Sequence, residues 1–220
     1  MIAHWSGGDY RRCVTRTWHG LVALLATIAL VGQTAITVDR GGSLVNLFSY
    51  FTIESNVLVL VTSVLLALRP DRQGTAFGIL RLGSLTAITV TGVVYATLLA
   101  GNADFEGAEW WFDKIFHYVV PVMTVIGFVV LRPRTRLERT ALWSLGFPVA
   151  WLAYTLVRAE VADPVYVLTP TTTAPVPYGF LDVDDLGWLT VSSICLVMTA
   201  GFVALSVFYS RIGRSRPARR

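Results

Sequence analysis

A chain of 220 residues that is 54% hydrophobic and only 15% charged falls outside the range of a soluble domain, which carries about one charged residue in four. Its mean hydropathy of +0.60 and the clustering of apolar residues into blocks of roughly 20 fit an integral membrane protein. The net charge of +4 does not imply nucleic-acid binding, because the cations gather in particular loops.

Taken in chain order, apolar blocks predict six membrane-spanning helices, at Thr17–Val38, Asn46–Leu68, Leu80–Gly101, Phe112–Leu131, Arg139–Arg158 and Gly187–Tyr209. No soluble segment exceeds about 30 residues, so the expectation is an all-α, single-domain bundle over residues 1–220. The N-terminal region lacks a short apolar segment with a cleavage site, so the first span reads as an anchor.

Arg11, Arg12 and Arg16 precede the first span. Arg69, Arg72 and Arg81 flank the second-to-third connection, and Arg132, Arg134, Arg136 and Arg139 the fourth-to-fifth. Arg211, Arg214, Arg216, Arg219 and Arg220 end the chain, leaving only Arg40, Lys114 and Arg158 for the other side, a split of fifteen against three. By the positive-inside rule both termini are cytoplasmic, in a multi-pass protein of the cell membrane. Most of the acids, including Asp39, Asp104, Glu106, Glu109 and Asp113, fall on the outer side. The arginine tail reads as a topology anchor for anionic lipid.

Trp5, Trp18, Trp110, Trp111, Tyr178 and Trp188 lie where an interfacial aromatic belt would sit, and His19 reads as interfacial too. The long connection at 159–186 is expected outside. It is rich in proline and threonine and then turns apolar and acidic at VPYGFLDVDD, where Tyr178, Phe180 and Leu181 could form a flap.

Depth along the spans isolates one pair of polar residues. Thr52 and His117 each lie about six residues into helices that start on the same side, roughly 8–9 Å below the boundary at 1.5 Å per residue. Tyr95 and Tyr154 come to similar depths on their own spans. Asp113, His117, Pro121 and Thr124 share one stripe of the fourth helix, with Asp113 one turn before His117 and able to accept from one ring nitrogen. Pro121 cannot donate to the His117 carbonyl, so a bend is expected there. Ser49, Thr52, Ser55 and Asn56 share a face of the second helix, and Glu54 lies on its far side.

A threonine hydroxyl becomes a nucleophile when a base takes its proton, and histidine is the usual base near neutral pH. The expected roles are Thr52 as nucleophile, His117 as base and Asp113 as the group that orients it. Asn56, Ser55, Tyr95 and Tyr154 are the candidates to contact substrate or a developing oxyanion. Two other readings stay open. The polar groups could simply join helices, or Glu54 and His117 could hold a ligand or relay protons in a non-enzymatic binding or transport protein.

Several chemistries find no residues to carry them. A retinal Schiff base needs a deep lysine, and the only lysine, Lys114, sits at a helix mouth. One buried histidine cannot ligate several haems, and too few His and Cys residues converge for zinc. Cys13 precedes the first span and Cys195 falls near the middle of the sixth, so they are expected at different depths and not to bridge; they lack CxxC spacing, and no nucleotide signature occurs. No metal or other cofactor is expected.

The runs FSYFTIESNVLVLV, FDKIFHYVVPVM and WLAYTLVRAE…VPYGFLD resemble the bacterial branch of a six-pass membrane family. Its animal members include the androgen-induced membrane protein and the androgen-dependent regulator of tissue-factor-pathway inhibitor. The resemblance implies an intramembrane threonine hydrolase of fatty-acid esters of hydroxy fatty acids, with Thr52 and His117 in the reacting roles. It implies a membrane lipid or fatty-acyl ester as partner and no nucleic acid. Glu54 and Asp113 depart from the animal pattern.

Overall fold

Apolar residues at helical spacing build long helices, and their lengths decide the architecture. The structure is a computed structural model that describes residues 7–102, 105–131, 139–169 and 171–213. The helices are α1 (Gly7–Asp39), α2 (Leu44–Leu47), α3 (Phe51–Leu68), α4 (Thr75–Val94), α5 (Gly107–Lys114), α6 (Val120–Val130), α7 (Gly146–Ala162) and α8 (Val183–Gly213). Between α7 and α8 a two-stranded antiparallel hairpin, β1 (Tyr166–Thr169) and β2 (Thr172–Ala174), pairs Tyr166 with Ala174.

Among the described residues, five helical stretches are long and apolar enough to cross a membrane: Gly8–Asp39, Phe51–Leu68, Thr75–Leu99, Gly107–Val130 and Val183–Ile212. The fold is therefore all-α apart from the short hairpin. The fifth expected span, Arg139–Arg158, is divided between a 3₁₀ segment at Arg139–Leu145 and the 17-residue α7. The arginines expected at 132, 134, 136, 214, 216, 219 and 220, together with Asp104, Trp5 and His4, lie outside the described residues.

Three departures from regular helix set up the site. The expected second span starts with α2 and a turn over Phe48–Tyr50 before α3, so Thr52 falls in the first turn of a helix. The fourth span contains a π turn, Ile115–Val119, in which the Val120 N–H donates to the Ile115 carbonyl. Just beyond it Pro121 has no N–H to donate to the His117 carbonyl. A second π turn, Tyr95–Leu99, ends the third span. Such turns are rare and concentrate at functional positions.

Val22, Ala26, Val59, Ile88 and Val120 meet in one fully buried cluster that joins α1, α3, α4 and α6. Close approach depends on glycine at several places, Gly92 and Gly127 among them. A Cβ on Gly92 would lie 3.2 Å from the His117 carbonyl oxygen and 3.2 Å from Pro121 Cβ, so only glycine lets α4 reach this turn without displacement. A Cβ on Gly127 would lie 2.6 Å from Trp18 Nε1.

That second approach gives His19, expected at the cytoplasmic interface, a buried place between helices. Against Gly127 of α6, α1 closes in until Trp18 donates to the Met123 carbonyl at 3.1 Å and His19 is buried. Neither His19 ring nitrogen has a hydrogen-bond partner among the described residues.

Candidate functional site

Most helical threonines here satisfy their hydroxyl within their own helix. Thr27, Thr34, Thr62, Thr89 and Thr124 each donate to the carbonyl four residues earlier, the usual habit of threonine in apolar helices. Thr52 does not. Its Oγ1 lies 3.2 Å from His117 Nε2 and 3.3 Å from the Tyr178 hydroxyl, and the residue is only 9% exposed.

The start of α3 explains why the hydroxyl is free to do so. Tyr50 is the extended N-cap, and the Glu54 N–H to Tyr50 carbonyl bond at 3.1 Å opens the helix. The N–H groups of Phe51, Thr52 and Ile53 precede that bond and have no acceptor in the ladder. They carry the positive end of the helix dipole to the position of the Thr52 side chain. The Thr52 N–H donates to the Tyr178 hydroxyl at 3.2 Å.

Asp113 holds the imidazole. Its Oδ1 is 2.9 Å from His117 Nδ1, and its backbone oxygen lies 3.0 Å from the same nitrogen. Both atoms are acceptors, so Nδ1 carries the proton and Nε2 offers its lone pair to the Thr52 O–H. The other carboxylate oxygen accepts from the Tyr95 hydroxyl at 2.5 Å and from Lys114 Nζ at 2.9 Å. The Tyr95 ring stacks on the imidazole, centroids 3.8 Å apart and planes inclined by 12°. The ring is therefore fixed in tautomer, tilt and depth. The two π turns supply Tyr95 and His117, and Gly92 lets their helices meet.

On its other side Thr52 lines an apolar cavity of about 850 Å³, counting the space at its open mouth. Phe51, Val94, Leu145, Leu152, Met198 and Phe202 are among its walls, and Tyr178 shares the polar end with Thr52. His117 is not part of the wall and sits behind the threonine. Threonine thus separates a base from a space shaped for hydrocarbon.

The remaining expected residues take other positions. Asn56, fully buried, donates from Nδ2 to the carbonyls of Thr52 at 2.8 Å and Phe116 at 3.4 Å. It ties the two helices together, and its donors are turned away from the cavity. Ser55 donates to the Thr52 carbonyl at 3.0 Å and lies 2.8 Å from the Thr91 hydroxyl. The Tyr95 hydroxyl is committed to Asp113. Tyr154 bonds Ser49 at 2.8 Å and is 42% exposed. Glu54 is half-buried, and its carboxyl has no partner among the described residues. None of these five residues is part of the cavity wall.

Two residues of the site were given other roles by the sequence. Lys114, read only as a helix-mouth cation, neutralises Asp113. Tyr178, read as an interfacial aromatic or flap residue, bonds Thr52. The hairpin returns the chain to α7 and α8, where Ala174, Val176, Leu181 and Val191 bury together. Tyr178 then stacks on Phe180 with centroids 5.4 Å apart and meets Tyr50 edge-on at 5.8 Å. Burial pushes its phenol above the usual tyrosine range, so it remains an O–H donor in ordinary conditions. The signal for it was the apolar run VPYGFL inside an otherwise polar loop.

Among the described residues no three His, Cys, Asp or Glu side chains converge as a metal site, and Cys13 and Cys195 are free thiols. Compared with known proteins, the chain matches no family model, no curated protein and no solved structure.

Proposed function

We propose that this chain is an intramembrane hydrolase of lipid acyl esters, with Thr52 as nucleophile, His117 as general base and Asp113 as the orienting carboxylate. One observation carries the reading: a threonine hydroxyl 3.2 Å from an imidazole nitrogen whose tautomer is fixed, on the wall of an apolar cavity. A threonine that only joined helices would not need a base held by a carboxylate, a stacked ring and a lysine.

In the proposed reaction the ester's acyl chain lies in the cavity with its carbonyl carbon facing Thr52 Oγ1. His117 Nε2 takes the hydroxyl proton as Oγ1 bonds to that carbon, and the carbonyl electron pair moves to oxygen. The tetrahedral intermediate collapses, the alkoxide leaves with the proton from Nε2, and an acyl-threonine remains. Water then repeats the sequence and releases the fatty acid. Asp113 keeps the transient imidazolium in line without taking its proton. The apolar lining supports an acyl substrate, and the resemblance of SYFTIESN and FHYVVP to the threonine-hydrolase family assigns the same two residues.

The proposal includes six membrane crossings with both termini in the cytoplasm of the cell. The 17 residues of α7 rise about 26 Å, and the seven-residue 3₁₀ segment before it adds about 14 Å at ~2 Å per residue. Together they exceed a hydrocarbon core of ~30 Å, which supports a crossing there. The arginine asymmetry supports the orientation, and the cavity then opens toward the outer leaflet.

The test is labelling of the purified protein by a fluorophosphonate probe, with the modified residue mapped. Thr52 should carry the phosphonyl group, and Thr52→Ala should abolish labelling while the protein stays inserted. A wild-type protein that does not label, or a Thr52→Ala variant that labels at the same rate, overturns the hydrolase reading.

A further inference from the structure

We infer that Tyr178 is a third catalytic residue, the side chain whose hydroxyl stabilises the oxyanion as Thr52 attacks the ester. The inference rests on the hydrolase reading above and gives that site its missing donor. Acyl transfer places negative charge on the former carbonyl oxygen, and a fixed donor aimed at that oxygen is usually a large part of catalysis.

Every other side-chain donor near the nucleophile is committed elsewhere. Asn56 Nδ2 serves the Thr52 and Phe116 carbonyls, Tyr95 serves Asp113, and Ser55 serves Thr52 and Thr91. The Tyr178 hydroxyl differs in both position and valence. It accepts from the Thr52 N–H at 3.2 Å, lies 3.3 Å from Oγ1 and shares the polar end of the cavity with Thr52.

The proton assignments leave one consistent arrangement. Thr52 Oγ1–H points to His117 Nε2, because Nδ1–H points to Asp113. Oγ1 can then only accept from Tyr178, so the phenol O–H points at the nucleophile in the resting site. When Oγ1 bonds to carbon and gives its proton to Nε2, it becomes an ether-type oxygen and a weaker acceptor than the oxyanion formed beside it. The O–H swings to the oxygen that has just gained the carbonyl's electron pair, one bond beyond the attacked carbon. The phenol proton stays on tyrosine throughout. The Thr52 N–H bond to the phenol oxygen polarises the O–H and makes it a stronger donor.

The flap holds this donor rigidly. Tyr178 packs on Phe180 and Tyr50, and Gly179 brings the chain so close to Leu168 that a Cβ there would lie 3.1 Å from Leu168 Cδ1. The 159–186 connection thus contributes to chemistry as well as covering α7 and α8.

Three proteins and one structure test the inference. Tyr178→Phe removes only the hydroxyl and keeps the ring packing. Its fluorophosphonate labelling of Thr52 should slow by on the order of 10²-fold, with a lower melting temperature because the Thr52 N–H loses its acceptor. Leu82→Ala opens the separate core of Leu82, Leu85, Phe128, Ala141 and Tyr209, none of which lines the cavity or bonds Thr52. It should lower the melting temperature and leave the labelling rate within about threefold, the margin of ~0.6 kcal/mol in the barrier. In the structure of the phosphonylated wild-type protein, the Tyr178 hydroxyl should lie within hydrogen-bond distance of the phosphoryl oxygen. That structure needs no variant and decides the matter if Tyr178→Phe does not fold. Wild-type labelling at Thr52 together with a fast Tyr178→Phe variant, or with a tyrosine turned from the phosphoryl oxygen, overturns the role of Tyr178 and leaves the hydrolase standing. A wild-type protein that fails to label at Thr52 removes both.

Discussion

Asp113→Asn is the sharpest perturbation of the proposed machinery, because it changes one atom in a carboxylate that three donors share. Asp113 is 5% exposed and accepts from His117 Nδ1 at 2.9 Å, Tyr95 at 2.5 Å and Lys114 at 2.9 Å. An asparagine must turn its NH₂ toward one side. Facing His117, it forces Nδ1 to become the acceptor, moves the ring proton to Nε2 and points that proton at Thr52. Facing Tyr95 and Lys114, it sets a donor against two donors. Hydrogen bonds to a charged group contribute about 1.5–3 kcal/mol each. Lys114 is 29% exposed and can turn toward water, which recovers part of the loss. We expect a stability loss of about 2–4 kcal/mol. The loss of the correct tautomer should slow labelling of Thr52 by about 10³–10⁴, or ~4–5.5 kcal/mol in the barrier. The assay is the second-order rate of fluorophosphonate labelling in detergent, read beside a melting curve. A folded Asp113→Asn protein that labels within about threefold of wild type (~0.6 kcal/mol) would refute the orienting role.

Two further substitutions separate packing from chemistry. Gly92→Ala puts a methyl 3.2 Å from the His117 carbonyl and from Pro121 Cβ, so two helix backbones must part by a few tenths of an ångström. It should cost about 1–3 kcal/mol in stability and slow labelling by drawing the base away from Thr52; an unchanged melting temperature argues against the close approach. Glu54→Gln should leave the labelling rate within about twofold (~0.4 kcal/mol), because Glu54 touches neither Thr52 nor the cavity. A collapse of labelling, or a proton flux in liposomes lost on this change, would favour the binding-or-transport reading instead.

Residue depth was enough to single out Thr52 and His117, because rise per residue is nearly constant in a helix and both helices start from the same end. The i to i+4 placement of Asp113 was legible for the same reason. Angle was less reliable. The π turns at Tyr95 and Ile115 alter the 100° step, and Pro121 signals only a break in the ladder, not where the extra residue is taken up. The roles of Asn56 and Ser55 could not be read from spacing either, since a face shared with Thr52 does not say which carbonyl a donor reaches first. Tyr178 was the hardest case. It reaches Thr52 from 126 positions along the chain, through a hairpin whose register follows no helical period. The burial of His19 was not legible either, because it depends on Gly127, a glycine more than a hundred residues away.

The π turn at Ile115–Val119 has a bearing on how this protein could diverge. It accommodates one residue more than an ordinary helix turn would use, so the number of residues there matters as well as their identity. Deleting one between Asp113 and His117 would put them three positions apart instead of four and turn one against the other by about 100°, more than a quarter of a circle. No point substitution could undo that. Descendants that keep the proposed chemistry should therefore tolerate many changes of letter between Asp113 and His117 but none of count, and a relative with a gap there should fail to label at its counterpart of Thr52.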